Sequence, residues 1–481
     1  MRIRQFVVDG LGHLSTLLAD DAAGVAAVVD PRRDIDVYLA AAAEDGRAIT
    51  HVVETHLHND YVSGGRELAA RTGAAHLIGA GAQLAHDHRP LRHGDGFEVG
   101  SLRFTALDTP GHTPEHVSYA VADRSRADEP VVLLTGGSLL VGAVGRTDLL
   151  GVDNALPYAR DQFRSLHDVI LRHEDFVTVL PTHGAGSLCS TGIASTPSTT
   201  LGFERRYNQM LRHDEPEAFA RALLTGQPAF PRYFARMRPL NQAGPPLLGG
   251  LPELRAMPAG EVRGAVEAGA LVVDARPAAA HAEGHIPGSL SIPADLSFGT
   301  WLGWVVAPDR PVVLLLEDPG RWDELIRQVV RIGSERSLLG VLDGGLEAWR
   351  AVGGAVETTG RMTVDELARQ LGTGGPDAPF VLDVRQATEY AAGHVPGSRH
   401  LLAADVPERV AEMPRDRPIA TICASGFRAS IAASLLRMAG FERVSALASG
   451  VPGWEAAGYP VARDGTAALE PSPVPAEPHA H

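Results

Sequence analysis

Lysine is absent from this 481-residue chain, so all 43 basic residues are arginine, and against 58 acidic residues they leave a net charge of −15. The arginine-only usage, with abundant Ala and Gly, reads as GC-rich coding rather than as function. With no basic surplus to neutralise phosphates, a nucleic-acid or anionic-membrane partner is not expected, which leaves small molecules as the substrates. Cysteine is nearly absent. Cys189 and Cys423 are the only two, too few for a disulfide framework and in keeping with a reducing compartment. Long apolar runs are missing as well: no stretch of about 18 or more uncharged apolar residues occurs, and the opening MRIRQFVVDGLG has no apolar core followed by a cleavage site. No membrane span is expected, and the expected location is the cytoplasm. What is present is a hydrophobic content of 44%, enough for packed cores, and a length that corresponds to about three domains at about 150 residues each.

In the first half, apolar runs such as FVVDG, VAAVVD, ITHVVETH, FTALDTPGH, VVLLTGG and FVTVLPTHG alternate with helical stretches such as IDVYLAAAAEDG and GGRELAARTG. That alternation predicts an α/β layered domain. The second half contains an internal repeat. LVVDARPAAAHAEGHIPGS at 271–289 aligns with FVLDVRQATEYAAGHVPGS at 380–398 at a constant offset of 109, matching Asp274 with Asp383, Arg276 with Arg385 and His285 with His394. Two copies of one α/β domain follow. The Pro/Gly-rich stretch from Asn241 to Pro252 separates the halves and VETTGRMT separates the copies. The expected domains are therefore 1–245, 251–357 and 361–464, with 465–481 read as a disordered tail.

The histidines of the first half fall just after apolar runs. Thr55-His56-Leu57-His58-Asn59-Asp60-Tyr61 follows ITHVVE; two His two apart in a strand-exit loop can turn their imidazoles to one side, and neutral imidazole suits Zn or Fe. His112 follows a Pro-Gly turn in the stretch from Asp108 to His116, and His183 lies in Pro181-Thr182-His183-Gly184. One such histidine alone would be read as structural; three at strand ends in one domain point to a metal centre. These segments resemble the metallo-β-lactamase superfamily in its glyoxalase II and persulfide dioxygenase branch, over residues 1 to about 245. The resemblance implies an αββα sandwich and brings two departures into view. The superfamily motif HxHxDH is met at His56, His58 and Asp60, but Tyr61 replaces the closing His. Thr135-Gly136-Gly137 stands where the family has Thr-Gly-Asp, with a metal-bridging Asp.

A dinuclear hydrolase needs that bridging carboxylate and a complete second site, because a hydroxide shared by two metals is its nucleophile. Here Asp60, Tyr61 and His183 remain as a vestigial second site or as support behind the first. The expected centre is mononuclear, one Fe(II) per chain with Zn as the alternative, on His56 and His112, with His58, water or a nearby acid completing it. Arg146 and Asp148 read as a loop brace; Arg146 is also grouped with Tyr207, Tyr233 and Arg236 as a candidate anchor for an anionic, glutathione-like thiol. Cys189 reads as a small packed residue, with no base or basic cluster beside it in sequence.

In the second repeat copy IATI ends at Cys423, followed by Ala424, Ser425, Gly426, Phe427, Arg428 and an apolar helix. A Cys at a strand-to-helix junction meets free backbone N–H groups and the positive end of the helix dipole, and Arg428 adds a cation; both favour a thiolate or persulfide. The stretch is similar to the rhodanese active-site loop CxxGxR, and the resemblance spans about residues 361 to 464. It implies that Cys423 carries a sulfane sulfur as a persulfide, that residues 424–427 and Arg428 hold its charge, and that Asp383, Arg385 and His394 brace the loop. Aligning strand ends puts Glu317 where Cys423 stands, so the first copy is expected to be a rhodanese-like domain without its nucleophile.

The fold class that results is a multidomain α/β chain, a metallo-β-lactamase αββα sandwich followed by two α/β rhodanese domains. The resemblance implies a sulfide-detoxifying enzyme that joins an Fe(II) persulfide dioxygenase to a thiosulfate-type sulfurtransferase. Its expected partners are a low-molecular-weight thiol persulfide, O₂, thiosulfate or sulfite, and further copies of itself in a homo-oligomer. Two alternatives stay open: a glyoxalase II-like zinc thioester hydrolase fused to rhodanese, and a metal-free thiol-binding domain that feeds the rhodanese.

Overall fold

Alternate residues of a strand point to opposite faces, so a strand covered on both sides reads as an unbroken apolar run. The computed structural model, which describes residues 1–375 and 377–463, shows this directly. In the strand His13–Asp20 every residue is buried: Leu18 enters one core, while Leu17 and Ala19 enter another. Ala27 and Val29 likewise share the core of Leu18, while Ala26 and Val28 share that of Leu17. The expected tail at 465–481 lies outside the described residues.

The chain divides into two units, one containing Met1–Pro252 and the other Glu253–Val329 with the described residues from Ser334 onward. In the first unit two six-stranded sheets stack face to face. The inner core joins Leu18, Val29, Val53 and Leu77 of one sheet to Phe104, Tyr119, Val121 and Leu134 of the other. The helices Asp36–Glu44 and Gly65–Thr72 contribute Tyr38, Ala41 and Leu68 to the outer core of the first sheet, and Val152–Arg164 and Pro216–Leu224 contribute Ala159, Phe219 and Leu223 to that of the second. The result is the expected αββα sandwich. Val25–Val29 runs parallel to Ala48–Val53, and Val132–Gly136 parallel to Thr178–Pro181. Their carboxyl ends therefore share one rim, where the histidine loops emerge.

The second unit contains two five-stranded sheets with the same strand order, every pairing parallel. The repeat is visible down to single bonds. Arg276 donates to both oxygens of Asp274 and to the Gly284 carbonyl, and Arg385 does the same with Asp383 and Gly393. One detail departs from the sequence alignment. Asp274 pairs with Leu315 and Asp383 with Ile422, so the counterpart of Cys423 is Leu316, not Glu317. The first copy then inserts an extra turn, Pro319–Arg321, before the helix Trp322–Arg331, whereas the second passes from Gly426 directly into Phe427–Met438. A buried leucine, not an acid, replaces the thiol. Among the described residues no helix is long and apolar enough to cross a membrane.

Candidate functional site

Three imidazoles converge at the rim of the sandwich. His56 comes from the loop after Ala48–Val53, His112 from the connection between Leu102–Asp108 and Val117–Asp123, and His183 from the loop after Thr178–Pro181. Their ring centroids lie 5.0, 5.3 and 5.5 Å apart, all three are buried, and one ring nitrogen from each falls within 4.8 Å of the others. Burial and the neighbouring imidazole of His183 push His112 down to about 3, so its ring is neutral at ordinary pH and can act as a ligand.

The hydrogen bonds select the tautomers. His112 Nδ1 lies 2.8 Å from the Arg146 carbonyl, which can only accept, so Nδ1 carries the proton and the Nε2 lone pair is free. Thr55 Oγ1 gives its proton to Asp30 and therefore accepts from His56 Nδ1 at 2.8 Å, which again frees Nε2. That His56 Nε2, and Nε2 of His183, are buried without a hydrogen-bond partner. Unsatisfied buried nitrogens are costly, and a cation among them would satisfy all three rings. The donor set, imidazole only, fits iron or zinc.

Asp30 organises the loops. Its backbone sits at φ +50°, a strained conformation for a residue with a side chain. Its carboxylate accepts from Thr55 N at 2.7 Å, from Thr55 Oγ1 at 2.8 Å and from Thr182 Oγ1, so the loops carrying His56 and His183 are tied to one anchor. The only sequence signal for this residue was an Asp closing the run VAAVVD. Asp30→Asn leaves one acceptor for three donors and is expected to lower metal affinity by about 10- to 100-fold, as other losses of support behind a metal ligand do; competition with a chelator measures it.

His58, one of the expected third ligands, is turned elsewhere. Its Nε2 lies 3.0 Å from Glu54 and 3.3 Å from Asp30, and although burial opposes the charged ring, these carboxylates hold it up to about 9. His183, expected in a vestigial second site, completes the set instead. Tyr61 is buried against the His58 ring with its hydroxyl donating to the Asp30 carbonyl, so it offers no ligand. At Gly137 a Cβ would stand 2.2 Å from His112 Cδ2 and 2.7 Å from its Nε2. A side chain at this position would press on the His112 ring, so the loop as folded carries glycine there. Behind His183, the buried Asp60 lies 3.5 Å from Nδ1, and Cys189 offers its sulfur to the same group. Sequence separation hid this neighbour of Cys189.

The four candidate thiol anchors are not brought together. Arg146 is buried, pairs with both oxygens of Asp148 and donates to the Leu188 and Pro228 carbonyls, so it is a brace. Tyr233 is buried with its hydroxyl on the Asp60 carbonyl, and Arg236 donates to two backbone carbonyls. Tyr207 alone is exposed, its ring against Phe203.

In the second unit Cys423 follows the strand Ile419–Ile422, in the loop before the helix Phe427–Met438. Its sulfur is buried and accepts from Gly426 N at 3.1 Å. Gly426 holds φ +91°, and a Cβ there would meet the Ala448 carbonyl at 2.6 Å, so the loop requires glycine. Arg428 departs from the expected free cation beside the thiol: both its terminal nitrogens donate to Glu389, at 2.6 and 2.8 Å. Part of its charge is already compensated, which leaves the loop amides and the helix start as the principal stabilisers of sulfur charge.

Residues 6–171 match the family model of the metallo-β-lactamase superfamily, and residues 258–352 and 363–457 each match that of the rhodanese-like domain. A hydroxyacylglutathione hydrolase from Polaromonas sp. is 31% identical over 254 residues, which cover 48% of this chain and 94% of the relative. Among solved structures, a metallo-β-lactamase from Staphylococcus aureus has 30% identity and a TM-score of 0.63 over 71% of this chain and 98% of its own. ETHE1 from Myxococcus xanthus has 28% identity and a TM-score of 0.44 over 50% of this chain and 99% of its own. By its sandwich, its rim of histidine loops, the matching family models and the hydrolase relative, the chain belongs to the metallo-β-lactamase superfamily, carrying two rhodanese-like domains after that fold.

Proposed function

We propose that the first unit is a mononuclear iron persulfide dioxygenase and that Cys423 makes the second a sulfurtransferase. One observation carries the reading: three buried imidazoles converge, one ring nitrogen of each within 4.8 Å of the others, with His56 Nε2 and His183 Nε2 unpartnered, while Gly137 supplies no bridging carboxylate. His56, His112 and His183 would hold the iron, which when bound supplies redox chemistry with O₂ and leaves positions open for a substrate sulfur. The overall reaction takes R–S–SH, O₂ and water to R–SH, sulfite and two protons. Thr55 and the Arg146 carbonyl keep the two ring protons away from the cluster, and burial of the three rings excludes bulk water.

In the second unit the Cys423 thiolate attacks the sulfane sulfur of a donor, whose S–S bond breaks with the electron pair left on the departing sulfur. The Cys423 persulfide then gives its outer sulfur to cyanide, to a thiol, or to sulfite, forming thiosulfate in the last case. Sulfite made in one unit is thus a substrate for the other. We place this chemistry in the cytoplasm, where both free thiols stay reduced.

The names of the hydrolase relatives favour a second reading, a zinc thioester hydrolase on the same three histidines. Oxygen uptake by anaerobically iron-reconstituted protein decides between them. Iron-dependent uptake with a thiol persulfide, yielding sulfite or thiosulfate, is the expected result; hydrolysis of a thioester without oxygen consumption would replace it with the second reading.

A further inference from the structure

Glu389 occurs only in the repeat copy that carries the thiol. The 109-residue offset puts Ala280 at the same position in the first copy. Even so, the helix Ala278–Glu283 forms there over the same length as Ala387–Ala392, and the Asp-x-Arg brace closes in both copies. The fold therefore does not require the carboxylate. In the second copy its two oxygens accept from Arg428 at 2.6 and 2.8 Å, and one of them also accepts from Gln386 N at 3.1 Å, which ties the carboxylate to the start of its own helix. Arg428 lies close enough to Cys423 for their charges to interact. The pair is only partly exposed, 18% for the Arg428 side chain and 35% for that of Glu389, so water screens it incompletely. Asp383, another carboxylate that Arg428 feels, is matched by Arg385. Beside the thiol stands a cation whose charge a fixed anion offsets, and a dianion gains little by approaching it.

We propose that Glu389 is a positioning residue that sets donor choice at Cys423 by charge: it holds Arg428 and offsets its charge, so that thiol persulfides of low charge load the thiol in preference to dianionic thiosulfate. The proposal rests on the persulfide role of Cys423. Coulomb energy scales with the charge of the donor, so one unit charge beside the loop changes the attraction of a dianion by twice that of a monoanion. The loop amides and the helix start face the reacting sulfur of any donor, which leaves Arg428 and Glu389 to discriminate by charge. The chemistry is common to all donors. The Cys423 thiolate bonds to the sulfane sulfur, the S–S bond of the donor breaks, and its electron pair leaves on the departing sulfur as thiolate, sulfite or sulfinate.

Thiosulfate and methanethiosulfonate test this, because a methyl group in place of one charged oxygen turns the dianion into a monoanion of similar size. Cyanide takes the outer sulfur in both cases, its electron pair forming the new C–S bond while the S–S pair returns to the Cys423 thiolate, and thiocyanate is measured. The full chain is expected to use methanethiosulfonate better. Glu389→Gln keeps an acceptor for Arg428 and removes the charge. It is expected to raise kcat/KM for thiosulfate relative to methanethiosulfonate by about tenfold at low salt, mainly through KM, the order expected of one unit charge a few ångströms away. That gain is expected to collapse in about 1 M salt, where the screening length falls to about 3 Å. Glu389→Asp, which keeps the charge, is expected to hold the ratio within about threefold of the parent. A ratio taken on one sample does not depend on the fraction folded. An unchanged ratio in Glu389→Gln, a gain that survives high salt, an equal gain in Glu389→Asp, or a parent chain that prefers thiosulfate overturns the proposal. Absence of thiocyanate from either donor in the parent chain would instead remove the role of Cys423, and this proposal with it.

Discussion

His183→Ala is expected to leave the first unit without a tightly held metal and without oxygen uptake, while His58→Gln keeps most of both. His183 is one of three rings whose nitrogens lie within 4.8 Å of each other, and its Nε2 is unpartnered while Asp60 lies beside its Nδ1. His58 spends Nε2 on Glu54 and Asp30. Because loss of mere support behind a ligand costs about 10- to 100-fold in affinity, loss of a ligand is expected to cost at least about a hundredfold. Metal content after anaerobic iron loading, with oxygen uptake on the same samples, checks both variants. The sulfurtransferase provides the internal control: cyanide transfer through Cys423 is expected to stay at the parent level in His183→Ala. Full metal retention in His183→Ala together with loss in His58→Gln would move the third ligand back to His58.

Cys423→Ser is expected to remove sulfur transfer by at least about a thousandfold, since a hydroxyl in place of the thiol leaves no covalent carrier for the sulfane sulfur. Oxygen uptake with a thiol persulfide is expected to continue at the parent rate, with sulfite accumulating in place of thiosulfate. The measurement is sulfite and thiosulfate quantified in one reaction mixture. A variant that still made thiosulfate at the parent rate would remove Cys423 from the reaction. The first copy provides no substitute, because Leu316 stands at the equivalent strand end.

Much of the architecture is legible in the sequence. Runs such as VAAVVD and VVLLTGG are apolar without alternation because helices cover the outer face of each sheet as the second sheet covers the inner, so both sets of side chains are buried. The rhodanese pair was legible through its 109-residue offset, and the Asp-x-Arg brace forms within three consecutive residues. The site was legible only in part. His56 and His112 stand in recognisable segments, whereas Asp30 carries no motif and joins His56 to His183 only where three strand ends meet. Arg428 looked like a free cation because Glu389 lies 39 residues away from it.

The sequence by itself determined the elements, the duplicated domain and the placement of Cys423 at a strand-to-helix junction, because each depends on residues near one another in the chain. Tertiary structure alone decided that His183 rather than His58 joins His56 and His112, that His112 fills the space beside Gly137, and that Leu316 answers to Cys423. Those outcomes depend on which loops the two packed sheets bring to one rim and on the hydrogen-bond register between strands. Both are set by burying apolar faces across long sequence separations, and neither leaves a local trace.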